Sequence, residues 1–182
     1  MKRFFLSSLF ALNMLNVGLA YAEKADAEKP TNVEADQMAY DDVRQINTFT
    51  GNVVLTRGTL VMKAHKMVVT QDPAGYQFAT LYAGQGKQAS FRQKRDGGDN
   101  LWIEGEGDRI EYDNKVDVAK LFTKAKMRRL EGSKITDEVE GEFISYDNRT
   151  EFFTVNNTPT ETSKPGAGRI KAVIQPRNQA KK

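Results

Sequence analysis

Between residues 31 and 159 apolar and polar side chains alternate at period two, in short runs that end at turn-forming residues. Val53 and Leu55, then Leu60, Met62 and Ala64, form two such runs around a turn at Arg57-Gly58. Further turn signals fall at Asp72-Pro73-Ala74-Gly75, Asp96-Gly97-Gly98-Asp99, Asp113-Asn114, Glu131-Gly132 and Asp147-Asn148. Their spacing leaves no window for a substantial amphipathic helix. The pattern predicts an all-β chain folded as a sandwich, jelly roll or barrel.

Within that alternation lies a repeat with a defect of phase. Val33-Glu-Ala35-Asp-Gln-Met38-Ala-Tyr40, Met62-Lys-Ala64-His-Lys-Met67-Val-Val69, Gly105-Glu-Gly107-Asp-Arg-Ile110-Glu-Tyr112 and Val139-Glu-Gly141-Glu-Phe-Ile144-Ser-Tyr146 share one form, and Gly84-Gln-Gly86-Lys-Gln-Ala89-Ser-Phe91 is a weaker copy. Inward positions stand two apart up to an Ala or Gly, then three apart, then two apart again. An odd step would turn the rest of a plain strand outward. Both halves keep facing inward only if the strand bulges or bends at the small residue. The repeat therefore predicts strands that turn a corner and line one interior on both sides of it: a two-sheet antiparallel β-jelly roll, elongated, V-shaped or flattened. By phase, the interior takes Val33, Ala35, Met38, Tyr40, Phe49, Val53, Leu55, Leu60, Met62, Met67, Phe91, Ile103, Ile110, Tyr112, Met127, Ile144 and Tyr146.

The ends of the chain are of another kind. Lys2-Arg3, an apolar run from Phe4 to Ala20 and the Ala20-Tyr21-Ala22 site predict a cleavable signal peptide over residues 1–22 and export to the periplasm. Residues 23–30 are polar and aperiodic and read as a disordered lead-in; residues 31–159 hold the β domain. In residues 160–182 a short apolar stretch, Ile170 to Ile174, could add a last edge strand before a basic disordered tail.

Charge alters the picture once the ends are set apart. Residues 1–22 hold two of the 27 basic residues and none of the 24 acidic ones, so the net charge of +3 falls to +1 without them. From Thr160 onward there are six Lys/Arg and one Glu, which leaves the body mildly acidic. A basic tail on an acidic body does not describe a nucleic-acid-binding domain. The absence of cysteine excludes disulfides, thiol catalysis and cysteine-ligated metal.

Little here suggests catalysis. His65, the one histidine, falls at an outward phase beside Lys63 and Lys66, where a nucleophilic triad could not use it. Asp41-Asp42, Asp113 and Asp147 follow strand ends and cap turns. The expectation is a protein that is no enzyme, with no catalytic residue, metal or cofactor. Arg92, Lys94, Arg95 and Arg128-Arg129 either form a solvated face or meet phosphate or carboxylate groups of a ligand.

The segment Phe49-Thr50-Gly51-Asn52-Val53-Val54-Leu55-Thr56-Arg57-Gly58-Thr59-Leu60, followed by Ala64-His65-Lys66-Met67-Val68-Val69, resembles the OstA-like family of lipopolysaccharide transport proteins. Val33-Glu34-Ala35-Asp36-Gln37 and Gly86-Lys87-Gln88-Ala89-Ser90-Phe91 extend the resemblance to roughly residues 30–175. It departs at Leu121-Phe122-Thr123-Lys124-Ala125, where a second Gly-Asn pair is expected and missing. The resemblance implies a jelly roll open at both edges, holding the acyl chains of lipopolysaccharide inside. Taken with the inward phase, it gives a candidate lipid-binding set of Thr31, Val33, Met38, Tyr40, Phe49, Val53, Leu55, Met62, Met67, Phe91, Ile103, Ile110, Tyr112 and Ile144, of which the resemblance itself implies lipid contact at Thr31, Val33, Phe91 and Tyr112. Its implied partners are lipopolysaccharide, an inner-membrane-anchored OstA-like donor, an outer-membrane lipopolysaccharide assembly protein and further copies of itself stacked head to tail. Two alternatives stay open on the residues alone: a structural or adhesion-type β protein without lipid cargo, and a small periplasmic hydrolase.

Overall fold

The computed structural model describes residues 26, 28–98 and 100–176. The predicted signal peptide and its cleavage site lie outside the described residues, as does the end of the basic tail. Among the described residues all twelve elements are strands: β1 (Asn32–Glu34), β2 (Gln37–Asp41), β3 (Ile46–Arg57), β4 (Leu60–Gln71), β5 (Gln77–Tyr82), β6 (Ala89–Lys94), β7 (Leu101–Gly107), β8 (Arg109–Asp113), β9 (Val118–Glu131), β10 (Lys134–Asp147), β11 (Phe152–Asn156) and β12 (Lys171–Ile174). Every pairing is antiparallel. The predicted all-β jelly roll is the observed fold, and its outermost strands are unpaired on one side.

The four long strands change partners halfway. β3 pairs with β2 through 46–50 and with β1 through 54–56. β4 pairs with β6 through 61–63 and with β5 through 66–71. β9 pairs with β8 through 118–122 and with β7 through 126–131; β10 pairs with β12 through 137–140 and with β11 through 143–147. Two layers result. One runs β2-β3-β4-β5-β8-β9-β10-β11, the other β1-β3-β4-β6-β7-β9-β10-β12, sharing the long strands.

The small residues of the repeat stand at the crossings between layers. Ala64 and Gly141 lie inside long strands at the change of partner, Ala35 joins β1 to β2, Gly107 ends β7 one residue before β8, and Gly86 lies between β5 and β6. The ladder register slips beside two of them, between Thr50 and Val53 opposite Ala64 and between Gly141 and Phe143. Those slips absorb the odd step and keep Met62 and Met67, or Val139 and Ile144, on one inner face.

The slip in β3 is made by Gly51 (φ +80°) and Asn52 (φ +46°) in left-handed conformation. Asp36 sits over it: its amide donates to Gly51 O at 3.0 Å and its Oδ2 accepts from Asn52 Nδ2 at 2.9 Å. The matching corner of β9 lacks glycine, as the sequence shows, yet it takes the same form with Thr123 (φ +61°) and Lys124 (φ +52°). A β-branched residue in that region is a steric outlier.

The interior is one cluster drawn from both layers. It contains Val53, Leu55, Leu60, Met62, Met67, Leu81, Phe91, Ile103, Ile110, Leu121, Met127, Ile144 and Tyr146, all buried. Residues 23–30, expected as an unstructured lead-in, include Asp26, which is buried and accepts bonds from the Thr59 amide (2.8 Å), the Thr59 hydroxyl (2.6 Å) and Gln93 Nε2 (3.2 Å).

Two substitutions test the corner geometry. Thr123→Gly removes a left-handed β-branched residue and should stabilise the fold by roughly 0.5–1 kcal/mol after the added chain entropy of glycine is counted. Thermal unfolding reads this as a Tm about 2 °C higher. Gly51→Ala forces a Cβ to within 2.2 Å of Asp36 Oδ2 at a φ of +80°. It should cost about 1–2 kcal/mol, seen as a lower denaturant midpoint.

Candidate functional site

Of the fourteen candidate residues, nine are buried together: Val53, Leu55, Met62, Met67, Phe91, Ile103, Ile110, Tyr112 and Ile144. Val33 and Phe49 pack against them half-covered. Phe91 lies over a bare stretch of β7, where a Cβ on Gly105 would come within 2.2 Å of its ring. Thr31 is exposed at the lip of the interior.

Met38 and Tyr40 depart from the expectation of a covered lining, being 57% and 51% exposed. They stand opposite Phe49 and Asn47 and so share the inner face, but β2 is the outermost strand of its layer and nothing lies beyond it to cover them. Period two placed their faces; coverage depended on strand order. At the other end of the fold Ile174 of β12 is likewise 75% exposed.

A cavity of about 190 Å³ opens at the β1 end of the interior. It brings together Thr31, Val33, Phe49, Leu55, Met62 and Tyr112 from the candidate set, with Leu60, Val69 and Ala79 on its walls. Polar groups also line it: Asn47, Arg57, Gln77 and Asn114. An apolar void of about 150 Å³ already accommodates a benzene-sized molecule, so this one can take a short run of hydrocarbon.

Arg57 was missed as a lining residue because Arg57-Gly58 reads as a turn. The signal was present: Arg57 continues the inward phase of Val53 and Leu55. It is buried, donates from Nη2 to the Tyr112 hydroxyl at 2.8 Å and lies 5.5 Å from the centre of that ring. Tyr112 in turn donates to Asp117 Oδ1 at 2.8 Å, which also accepts from Asn148 Nδ2 at 2.8 Å. Burial pushes the Tyr112 phenol well above its ordinary range, against the pull of the Arg57 charge, so it stays protonated and can both accept and donate.

This chain of bonds joins one layer to the other where the strand ends face each other, away from the corners. Two more arginines do the same. Arg95, just past β6, pairs with Glu151 in the turn before β11. Arg129 of β9 donates from Nη2 to Glu151 O at 2.9 Å and lies over the Phe153 ring at 5.2 Å. The basic residues noted in the sequence thus divide. Arg92 pairs with Glu104 over Trp102, and Arg128 bridges Glu106 and Glu138, both as outer-face ion pairs. Arg95 and Arg129 belong to the inner rim. His65 is exposed, and among the described residues no group of three or more potential metal ligands occurs.

Residues 32–152 match the model of the family described as LptA/(LptD N-terminal domain) LPS transport protein. The lipopolysaccharide export system protein LptA of Escherichia coli K12 is 36% identical over 121 residues, 64% of this chain and 64% of that protein. LptA of Haemophilus influenzae is 31% identical over 124 residues, 66% of this chain and 71% of that protein. This chain therefore spans 64% of the length of the Escherichia coli relative it matches. Among solved structures, LptH of Pseudomonas aeruginosa, described as the LptA-homologous periplasmic component of the lipopolysaccharide transport device, superposes with a TM-score of 0.71 at 28% identity, covering 84% of this chain and 99% of that one. By the extent of the family match and the agreement of fold, the chain belongs to the LptA/LptD N-terminal domain family of lipopolysaccharide transport proteins.

Proposed function

We propose that this chain is a periplasmic lipopolysaccharide-binding transport protein, which holds acyl chains between its two layers and stacks edge to edge with like domains to bridge the inner and outer membranes. The observation that carries the reading is a single apolar interior that runs the length of the fold and is left uncovered at its ends, at Met38 and Tyr40 on one side and Ile174 on the other. The names of its relatives, all lipopolysaccharide export or transport components, support the same reading.

Burial supplies the affinity. Each methylene taken from water contributes roughly 0.8 kcal/mol, so several long chains held completely would not be passed on. The cavity by Thr31 takes part of one chain; the rest of the interior is filled by side chains, so deeper insertion requires the layers to part along the rim. The lining set is Thr31, Val33, Met38, Tyr40, Phe49, Val53, Leu55, Met62, Met67, Phe91, Ile103, Ile110, Tyr112 and Ile144, with the exposed members acting at the ends. The signal peptide of residues 1–22 delivers the protein to the periplasm.

Stacking uses the free edges. β1 and β2 end the layers on one side, β11 and β12 on the other. Addition of one end to the other by main-chain hydrogen bonds is heterologous and gives open, head-to-tail assemblies. An inner-membrane-anchored family member and an outer-membrane assembly protein would occupy the two terminal edges. The chemistry is binding and transfer, without a catalytic step.

Photo-crosslinkers placed at Phe91 and Tyr112 are expected to capture lipopolysaccharide in cells, and lipid A is expected by mass spectrometry in extracts of the purified protein. Failure of both would favour the structural or adhesion-type alternative, which needs the edges but no cargo. For stacking, deletion of residues 160–182 removes β12 and should shift sedimentation toward the monomer at concentrations where the whole chain assembles. An unchanged profile would refute that edge as the interface.

A further inference from the structure

Arg57, Arg95 and Arg129 stand in a row along one rim of the interior. They belong to the same layer, on β3, just past β6 and on β9, with β4 and β7 between them. Across the sheet two strand spacings, about 10 Å, separate each from the next, and the register sets Arg95 two residues, about 7 Å, beyond the line through Arg57, Gln93 and Arg129. All three share the inward phase of their strands, following Leu55, Gln93 and Met127 at a distance of two. In each the Nε–H is buried and has no hydrogen-bond partner among the described residues. Arg57 is nine-tenths buried, and its Nη2 bonds a phenol where a carboxylate would be needed to balance the charge.

A buried guanidinium is costly unless its charge and its donors are met. Across the rim the facing layer offers one carboxylate directly, Glu151 to Arg95, a backbone carbonyl to Arg129 and the Tyr112 hydroxyl to Arg57, with Asp117 one bond further away. Asp26, the other buried carboxylate nearby, is taken by Thr59 and Gln93. Beside Arg95 and Arg129 a cavity of about 400 Å³, bordered also by Glu131, Lys134 and Asp137, leaves room for a polar group. At the other end Arg57 borders the apolar cavity. Donors that lack acceptors thus lie where the interior meets water.

We propose that Arg57, Arg95 and Arg129 form an anion-binding row for the phosphate or carboxylate groups of an amphiphile whose acyl part lies between the layers. The inference rests on the acyl-binding reading above and adds the group that fixes the ligand's depth. The planar guanidinium presents donors that match either oxyanion with two parallel bonds. Spacing along the strand order lets an anion move from one arginine to the next as its chains move along the interior. In this structure the same arginines bond across the rim to Tyr112 and Glu151, so arrival of the anion exchanges layer-to-layer bonds for ligand bonds and loosens the rim that chains must pass.

The test compares matched probes on the whole mature chain: bisphosphorylated lipid A against the same lipid A with its phosphates removed, and palmitate against its methyl ester. Arg57→Gln combined with Arg129→Gln should weaken bisphosphorylated lipid A at least about tenfold, the loss expected for one charge-assisted hydrogen bond. Binding of the dephosphorylated lipid should change less than about twofold, since it carries no oxyanion for the row to grip. Loss for palmitate but not for its ester would extend the row to carboxylates; loss confined to lipid A would restrict it to phosphates. Arg92→Gln, on the outer face, should leave all four probes unaffected. Should the double variant fail to fold, the wild-type protein still decides: added salt must weaken the phosphorylated probe more than the dephosphorylated one. Equal affinity for each matched pair, insensitive to salt and to the substitutions, overturns the row and leaves acyl binding standing. If neither member of any pair binds, acyl binding falls as well.

Discussion

One apolar face has to serve two layers. Each long strand crosses from one layer to the other, and the side chains before and after the crossing must point into the same interior. A strand of strict period two cannot do this. The chain answers with an extra residue at each crossing, and most of its local peculiarities follow from that. Small residues stand at 35, 64, 86, 107 and 141, and left-handed pairs turn the corners of β3 and β9. Asp36 is held over Gly51 because the β1–β2 crossing lies directly against the corner in β3. In a plain strand Met62 and Met67, five positions apart on β4, would fall on opposite faces, and the interior would be broken rather than continuous.

The two sides of the interior are closed by different physics. On the corner side covalent strands join the layers, and nothing short of unfolding separates them. On the other side the layers meet through Arg57, Tyr112, Asp117 and Asn148, and through Arg95, Arg129 and Glu151. Hydrogen bonds of this kind each add little net stability because water or a ligand can replace them, whereas a packed apolar seam would have no such substitute. The rim is therefore the side that the proposed loading would part. At the two ends closure is simply missing, since the outermost strands present inner-face residues with no neighbour to cover them.

These features support the proposed carriage of an amphiphile more than apolar content alone would. A sealed core of the same composition would be an ordinary hydrophobic core. What separates this interior is a cavity that reaches the lip at Thr31, polar groups among the cavity's lining and uncovered apolar residues at each end. The strain left in Thr123 and Lys124 fits the same account: the corner is needed in β9 whether or not glycine is available to make it.

The periodicity of the chain determined the strand class, the turns, the crossings and the inward phase of nearly every candidate residue, because each of these is set by neighbours two or three positions away. Even the missing Gly-Asn pair at Thr123-Lys124 was visible, although its conformation was not. The tertiary structure alone decided which inward residues are covered. Met38 and Tyr40 share the inner face with Phe49 but belong to the outermost strand, and a residue's phase carries no information about what lies across the sheet edge. It also decided that Arg57 is part of the interior, that Asp26 is anchored, and that Arg95 and Arg129 part company with Arg92 and Arg128. Those outcomes rest on contacts between layers, made by residues 22 to 67 positions apart, and no local pattern records them.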